Sequence, residues 1–400
     1  MSSEKGLRRW NAGLVLVGLA ALFFWMGRKP ARSPEEAAEP VVAPVTIPAP
    51  AVPEPAREGP PDTPPKVMEP TLPGPGVEKP LLEFSLPTDN QSIHTSQPEQ
   101  FFMFVDRYTP EGQVQVWEGG SYGFVRNPRQ TAQGTVFTKF HEGIDIAPAV
   151  RDAKGEPLDE VRAIADGVVA YVTSSSRTSN YGNYVVLLHQ VGTTGVYYSL
   201  YAHLKSISAS AGQTVGRGRP LGMLGYTGSG IDRRRAHVHL EIGLVISERF
   251  DEFNAKSKGL ANPHGNYHGS NLIGLNGSEF LAANHADPLL MPDQFLGKQE
   301  VYYKVLVPNR GQELELVERY PWLRQKGPAA ASWEISFTGP GVPVSIAPAA
   351  QTATFATVSW VKPFGGYHSW NTRSMLGGSG NTATLTVEGN RMLALMAGDF

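Results

Sequence analysis

The 400-residue chain contains no cysteine, which excludes disulfides and every thiolate metal site. An exported protein without cysteine needs no oxidative folding, yet the absence assigns no compartment by itself. Charge is also sparse, at 18% of residues with a formal net charge of −2. The basic patch or stripe of a nucleic-acid binder is missing, so no nucleic-acid partner is expected. Long segments of clean helical period are hard to find before residue 245, and no internal repeat of fixed period is present. What remains is a chain with 41% hydrophobic residues, long enough for two domains or for one large domain with appendages.

Only the N-terminus carries a long apolar run. Lys5, Arg8 and Arg9 precede Trp10–Trp25, which Met26 and Gly27 extend and Arg28 and Lys29 close. About eighteen residues of helix rise roughly 27 Å, close to the hydrocarbon thickness of a bilayer. A buried core helix would not be apolar on every face and then run into proline, so residues 1–29 read as a membrane anchor or signal segment. The length of the run and the lack of a small-x-small cleavage site favour a retained transmembrane helix with the short N-terminus inside. Arg28, Lys29 and Arg32 on the far flank weaken the positive-inside reading. The expected location is the inner membrane, with the rest of the chain in the periplasm.

Residues 30–80 recur in proline, which removes backbone donors and fixes φ, so neither helix nor sheet propagates. This stretch reads as a disordered tether with a maximum reach of roughly 150 Å, at about 3.1 Å per residue. From Leu81 the composition is that of a folded protein. Short β-branched runs recur at Val168–Val172, Tyr184–Leu188 and Val196–Tyr201, separated by turns such as Asp166-Gly167, Tyr181-Gly182-Asn183 and Gly216-Arg217-Gly218. That pattern predicts a mainly β, mostly antiparallel domain over residues 81–300. Residues 250–300, rich in Asn, Gly and His, read as an irregular extension of it. Strand-like runs at Val301–Val307 and Ala383–Val387 predict a C-terminal β-rich module over 301–400, of sandwich type.

Three segments carry candidate chemistry. In His237-Val238-His239-Leu240-Glu241-Ile242, alternation puts His237, His239 and Glu241 on one strand face. One imidazole can then bind a metal while the other addresses a neighbouring water or substrate; a His-x-His pair alone also serves structural hydrogen bonding. In His141-Glu142-Gly143-Ile144-Asp145-Ile146, an extended chain puts His141, Gly143 and Asp145 on one face and packs Ile144 and Ile146 inward. Gly143, lacking a side chain, lets a metal approach. His, carboxylate and a second His form a known zinc ligand set with an open fourth position, though a surface hairpin fits the same alternation. Tyr201-Ala202-His203-Leu204 follows a strand-like run, where a histidine either leans over a neighbouring site or is a capped core residue.

Taken together, the segments resemble the LytM/lysostaphin-type zinc metallopeptidases, a family of peptidoglycan endopeptidases with a duplicated-hybrid-motif β fold. That family's pattern is His-x-Gly-x-Asp, then His in a Tyr-x-His-Leu context, then His-x-His, and all three occur in order at 141–145, 201–204 and 237–239. Ala165–Val169, Gly212–Val215 and Leu224–Gly230 agree with its flanking text, so the resemblance covers about residues 138–245. It implies Zn2+ as cofactor, His141, Asp145 and His239 as metal ligands, and His203 and His237 as the catalytic pair. Glu142 and Glu241 lie near enough in sequence to support the ligands. Asp232-Arg233-Arg234-Arg235-Ala236 departs from the small residues and proline usual before the third motif, which bears on the substrate groove.

The implied function is hydrolysis of a cross-link or stem peptide of peptidoglycan in cell-wall remodelling, with a protein regulator as a further partner to expect. Two similar patterns fall away. His141-Glu142 opens like a zincin motif, but the fifth residue is Asp145; a cupin places its glutamate further on than Glu241. The alternative function is a non-catalytic scaffold of the same fold that activates a wall amidase, and relatives of that kind usually lack part of the metal set. A third reading makes the C-terminal module a binding domain, with Trp333, Trp360 and Trp370 stacking on sugars, although these residues also suit a core.

Overall fold

The computed structural model describes residues 82–109, 112–258 and 261–400, all within one compact unit, Asp62–Phe400. The anchor or signal segment expected at 1–29 and the tether expected at 30–80 lie outside the described residues. Among the described residues no helix is long and apolar enough to cross a membrane.

The largest sheet is built from the β-branched runs. Its strands are β1 (Ile144–Ile146), β2 (Gly167–Thr173), β3 (Tyr184–Val191), β4 (Gly195–Ala202), β5 (Thr214–Val215), β6 (Val238–Val245) and β7 (Leu272–Gly274). They run in the order β5-β2-β3-β4-β6-β7, with β1 on β6, and every pairing is antiparallel. All eight residues of β6 are buried, because both faces of the sheet are covered. That is why the central strands read as near-continuous apolar runs and not as apolar/polar alternation. One face joins the large core with Val185, Leu187, Leu240 and Ile242, and the other packs Tyr184, Val186, Tyr198 and Leu200.

Register places the first and third motifs side by side. His239 on β6 stands opposite Asp145 on β1 and opposite Ala202 at the end of β4. Cross-strand neighbours sit about 4.5–5.5 Å apart at Cβ, so Asp145 reaches His239 directly across the ladder. Ile144 and Ile146 flank Asp145 and are fully buried, each contributing about 2–3 kcal/mol of apolar burial.

Residues 250–300 are more regular than their composition suggests. They hold helices Phe250–Lys258, Gly277–Ala286 and Pro292–Leu296, and they supply the edge strand β7. The helices bury Phe250, Phe280, Leu281 and Phe295 in the main core, so tertiary packing orders a stretch whose own helical propensity is modest.

Beyond residue 300 a four-stranded antiparallel sheet forms, ordered Pro343–Ala349, Ser332–Phe337, Tyr303–Pro308, Thr357–Val361. A three-stranded sheet of Phe364–Tyr367, Leu376–Gly380 and Thr382–Leu385 follows. The last helix, Val387–Ala397, starts where the Thr386 side chain accepts from Gly389 N (3.1 Å) and stops at Gly398, whose φ is +68°. Of the three tryptophans, Trp333 is buried and Trp360 is 43% exposed. Tyr320 fastens this region to the large sheet: its hydroxyl accepts from Val245 N (2.9 Å) and donates to Val196 O (3.0 Å). Gly195, at φ +141°, makes room for that ring, because a Cβ there would stand 2.7 Å from Tyr320 Cδ1.

Candidate metal centre

Each element delivers its side chain for a local reason. His141 does not continue a strand into Asp145, as simple alternation suggests. The extended chain breaks at Glu142–Gly143, and His141 pairs instead with Gly123 in a separate two-stranded ladder. Gly143 also has a different use from the one expected. A Cβ there would stand 2.5 Å from Leu240 O and 2.9 Å from both Glu241 Cγ and His239 Nε2, so its bareness accommodates the β6 backbone and the His239 ring. His203 has φ +64°, a left-handed conformation that costs a non-glycine residue about 1–3 kcal/mol. It is held there by His203 N donating to Tyr181 O (2.9 Å) and Leu204 N to Asn183 O (3.0 Å). The chain thereby turns at the end of β4, and the ring lies 4.8 Å from that of His237 and 5.8 Å from that of His239.

The geometry converges on one oxygen. Asp145 Oδ1 lies 3.0 Å from His141 Nε2, 2.9 Å from His239 Nδ1 and 3.3 Å from His237 Nε2. The five residues proposed from sequence are thus gathered together, and all are buried. The far nitrogen of each imidazole is committed. His141 Nδ1 donates to Ser121 O (2.7 Å), His203 Nδ1 to Thr227 O (2.8 Å) and His237 Nδ1 to Arg235 O (2.6 Å). His239 Nε2 donates to Glu241 Oε1 (2.9 Å). A carbonyl or carboxylate oxygen only accepts, so these bonds put a hydrogen on each far nitrogen, and the near nitrogen of a neutral ring carries a lone pair.

That arrangement fits a cation. His141 Nε2 and His239 Nδ1 stand 3.1 Å apart with lone pairs facing each other and a carboxylate oxygen beside them. Two acceptors cannot bond one another; a cation or proton between them resolves the contact. His141, Asp145 and His239 each offer one ligand atom, all within 4.8 Å of one another, and His/Asp/His is a zinc donor set.

Electrostatics agree with the geometry. Burial works against the charge of Asp145, but His141 and His237 outweigh it and hold the carboxyl well below the usual carboxylate range. Burial pulls His203 well below its ordinary value, reinforced by His237 and His239, so that ring is neutral. At His239 burial acts downward, yet hydrogen bonds to Asp145 and Glu241 win and push it up to about 10. The proton held on Nδ1 occupies the position a metal would take, so proton and metal compete for it.

Glu241, expected from the sequence to support the ligands, does so, and it brings in contributors that the sequence does not single out. Glu241 is buried and ionised: burial raises its pKa, but hydrogen bonds from His239, Tyr181 and Tyr198 more than offset this. Tyr181 donates to Oε1 (2.5 Å) and Tyr198 to Oε2 (2.7 Å). Burial and the Glu241 charge raise both phenols well above their ordinary value, so they stay donors. Arg126 places Nη2 3.5 Å from Asp145 Oδ2, a loose ion pair on a side chain that remains 26% exposed. Glu142 turns elsewhere, to Arg373. In the sequence Tyr181 reads as a turn residue and Tyr198 as a strand residue; Tyr198 meets Glu241 because β4 lies beside β6, and Tyr181 reaches it from the turn before β3.

The arginine-rich departure at 232–236 is a 3-10 turn, Arg233–Arg235, capped by Asp232, whose side chain accepts from Arg235 N. Arg151 braces it by donating to Arg233 O (2.7 Å), Arg234 O (3.2 Å) and Ala236 O (3.3 Å). A cleft of about 540 Å³ opens beside it, lined by Arg151, Lys154, Gly155, Asp232, Arg233 and Arg234.

Comparison with known proteins assigns the ligand-bearing segments to a family. Residues 139–250, which span β1 to β6 and all five site residues, match peptidase family M23. Residues 139–250 are an M23 peptidase domain. M23 peptidases are zinc-dependent hydrolases, and the His141–Asp145–His239 grouping of this domain suits that metal. Among solved structures, the chain is similar to the catalytic domain of the prophage-encoded M23 protein EnpA from Enterococcus faecalis, at 25% identity over 35% of this chain and 80% of that one, with a TM-score of 0.22. It is similar to the catalytic domain of the antimicrobial peptidase lysostaphin from Staphylococcus simulans, at 19% identity over 44% of this chain and 99% of that one (TM-score 0.25). A putative glycyl-glycine endopeptidase LytM from Ruminococcus gnavus shares 31% identity over 26% of this chain and 39% of that one (TM-score 0.20). No curated protein matches the chain. The M23 match leaves residues 251–400 outside it.

Proposed function

We propose that this chain is a zinc-dependent endopeptidase that hydrolyses peptide bonds in bacterial peptidoglycan, in a cross-link or a stem peptide. His141, Asp145 and His239 hold the metal, and His203 and His237 move protons. The observation that carries the reading is the convergence of three imidazole nitrogens on Asp145 Oδ1, each ring fixed by a hydrogen bond on its far side.

Bound zinc supplies Lewis acidity, polarising a peptide carbonyl and making water a better nucleophile at neutral pH. The chain's own residues do the rest. His237, with Nδ1 tied to Arg235 O, keeps Nε2 free to take a proton from the attacking water and return it to the departing amine. His203, kept neutral by burial and with Nδ1–H given to Thr227 O, stands beside it and offers its Nε2 lone pair to a proton of the attacking water, which orients that water. Glu241, with its two tyrosine donors, fixes the His239 ring and keeps its Nδ1 lone pair directed at the metal position. Arg126 offsets the negative charge on the outer oxygen of Asp145.

Support for a wall substrate comes from the M23 match and from the N-terminal sequence. The apolar run at 10–27 and the proline-rich stretch after it would hold the domain outside the cytoplasm, within reach of the wall. The test uses the full chain: metal content by elemental analysis, then digestion of purified wall material with products identified by mass. About one zinc per chain and new peptide termini are expected. A zinc-loaded wild type that releases nothing, yet activates a wall amidase, would replace this reading with the scaffold role.

A further inference from the structure

The segment that carries His141 and Asp145 is paired at its ends, His141 with Gly123 and Asp145 both with His239 and, through its carbonyl, with Met103 N (2.8 Å), and it bends between them. It is in bend conformation at Glu142 and Gly143, and its strands on either side are only two and three residues long. The bend between the two ligands is braced in addition by side-chain contacts. Glu142, between the two ligands, sets Oε1 3.3 Å from Arg373 Nη2, a residue from the C-terminal region. The same guanidinium lies over the ring of Phe140, 5.1 Å from its centroid. One side chain thus grips the residues on both sides of His141. A second contact falls on the hairpin Pro128–Thr131/Gly134–Phe137, which separates Arg126 from His141: a Cβ on Gly365 would stand 2.8 Å from Gln133 Cδ.

The backbone that carries Arg373 has an uncommon conformation fixed by its neighbours. Arg373 and Ser374 are consecutive non-glycine residues with φ of +51° and +62°, conformations that persist only where the surroundings enforce them. Here Thr372, fully buried, donates Oγ1 to His368 O (2.8 Å) and accepts from Leu376 N (3.2 Å). Ser374 N donates to Ser369 O (3.2 Å), and Thr386 Oγ1 donates to Ser374 O (2.7 Å). An incidental contact between packed regions would not need two adjacent left-handed residues tied down on each side.

We infer that the C-terminal region takes part in the hydrolytic site, with Arg373 as a positioning residue that holds Phe140–Asp145 in ligand geometry through Glu142 and Phe140. This rests on the zinc reading above. It gives the region a role toward the site itself, distinct from carrying the domain to its substrate.

The experiment compares the full chain with R373A, R373K, E142R, R373E and the double E142R/R373E. Amide hydrogen exchange over residues 139–146 is read by mass spectrometry, zinc affinity by competition with a chromogenic chelator, and wall-peptide cleavage as kcat and KM. R373A should exchange faster in that segment, bind zinc roughly tenfold more weakly and lose kcat with KM held. R373K should recover part of each. In the charge swap, each single change should be worse than the pair, since coupled residues are non-additive. Exchange and zinc affinity unchanged in R373A, or a loss confined to Tm with no recovery in the swap, would overturn the inference. A wild type that binds zinc and cuts nothing counts against the proposed function alone, because exchange and affinity still decide the role of Arg373.

Discussion

Two buried hydrogen-bonded groups that include histidine occupy opposite faces of the same sheet, and only one turns several imidazole nitrogens toward a shared carboxylate. On the face with Tyr197 and Leu187, His189 directs Nδ1 to Asp166 O (2.8 Å) and Nε2 to Ser199 Oγ (2.6 Å). Ser199 in turn lies 2.9 Å from the Tyr201 hydroxyl, which accepts from Ile164 N (2.9 Å). Every polar atom of that ring is paired, and burial pushes its pKa down to about 4. A serine, a histidine and a third hydrogen-bonded group outline a nucleophilic triad, yet all are sealed in the core with no atom left to act. On the other face His141, His203, His237 and His239 each give one nitrogen to an oxygen outside the centre and turn the other inward. Burial and hydrogen bonding are common to both groups. What separates them is the nitrogens turned inward, and the carboxylate toward which three of them point.

The sharpest way to break this comparison is to remove the carboxylate. Asp145→Ala, or His239→Ala, should abolish tight zinc binding and with it all cleavage; wild-type metal content in both variants would refute the ligand assignment. Next in size are the inward nitrogens outside the ligand set. His203→Ala and His237→Ala should retain zinc and fold, but cut wall peptide about 10²-fold more slowly, the usual scale for a proton-transfer group. If His237→Ala loses the metal instead, His237 and His239 exchange roles.

A smaller effect is expected at Glu241, where Glu241→Gln should keep the fold and lower zinc affinity roughly tenfold by loosening the His239 ring; chelator competition measures it. The least effect on metal and cleavage belongs to His189. Its folded pKa lies below the ordinary unfolded value of about 6.5, so the unfolded chain binds the extra proton between about pH 6.5 and pH 4. Its contribution is whole above that window and is lost as pH falls through it, up to about 3 kcal/mol. His189→Gln should flatten that part of the stability-against-pH curve in urea melts while zinc content stays at one per chain. A curve identical to wild type would mean His189 is not the group that titrates.

The comparison also marks how far the sequence was legible. The third motif is readable because strand alternation is a local property, and the His/Asp/His set because its residue types are; alternation fails at the first motif, where the chain bends at Glu142–Gly143, and the family match falls on the same segments. The face on which His189 lies was not flagged, because a histidine within an apolar run gives no sign of whether its second nitrogen is spent. Arg126 and Arg373 were silent for another reason: one lies 19 and the other 231 residues from the group it meets, and no spacing rule connects them. Residues 250–300 were misjudged because their helices are stabilised by burying phenylalanines in a core formed by distant strands.

By itself the sequence determined the absence of thiol chemistry, the alternation that puts His239 and Glu241 on one face of a strand, and the residue types able to hold zinc. These follow from composition and from the two-residue period of extended chain. Only the tertiary structure decided that Asp145 stands opposite His239, that Tyr181 and Tyr198 meet on Glu241, and that Arg373 reaches Glu142. Such contacts depend on strand register and on the packing of regions far apart in the chain, and both are set by burial of the whole core and not by any local stretch.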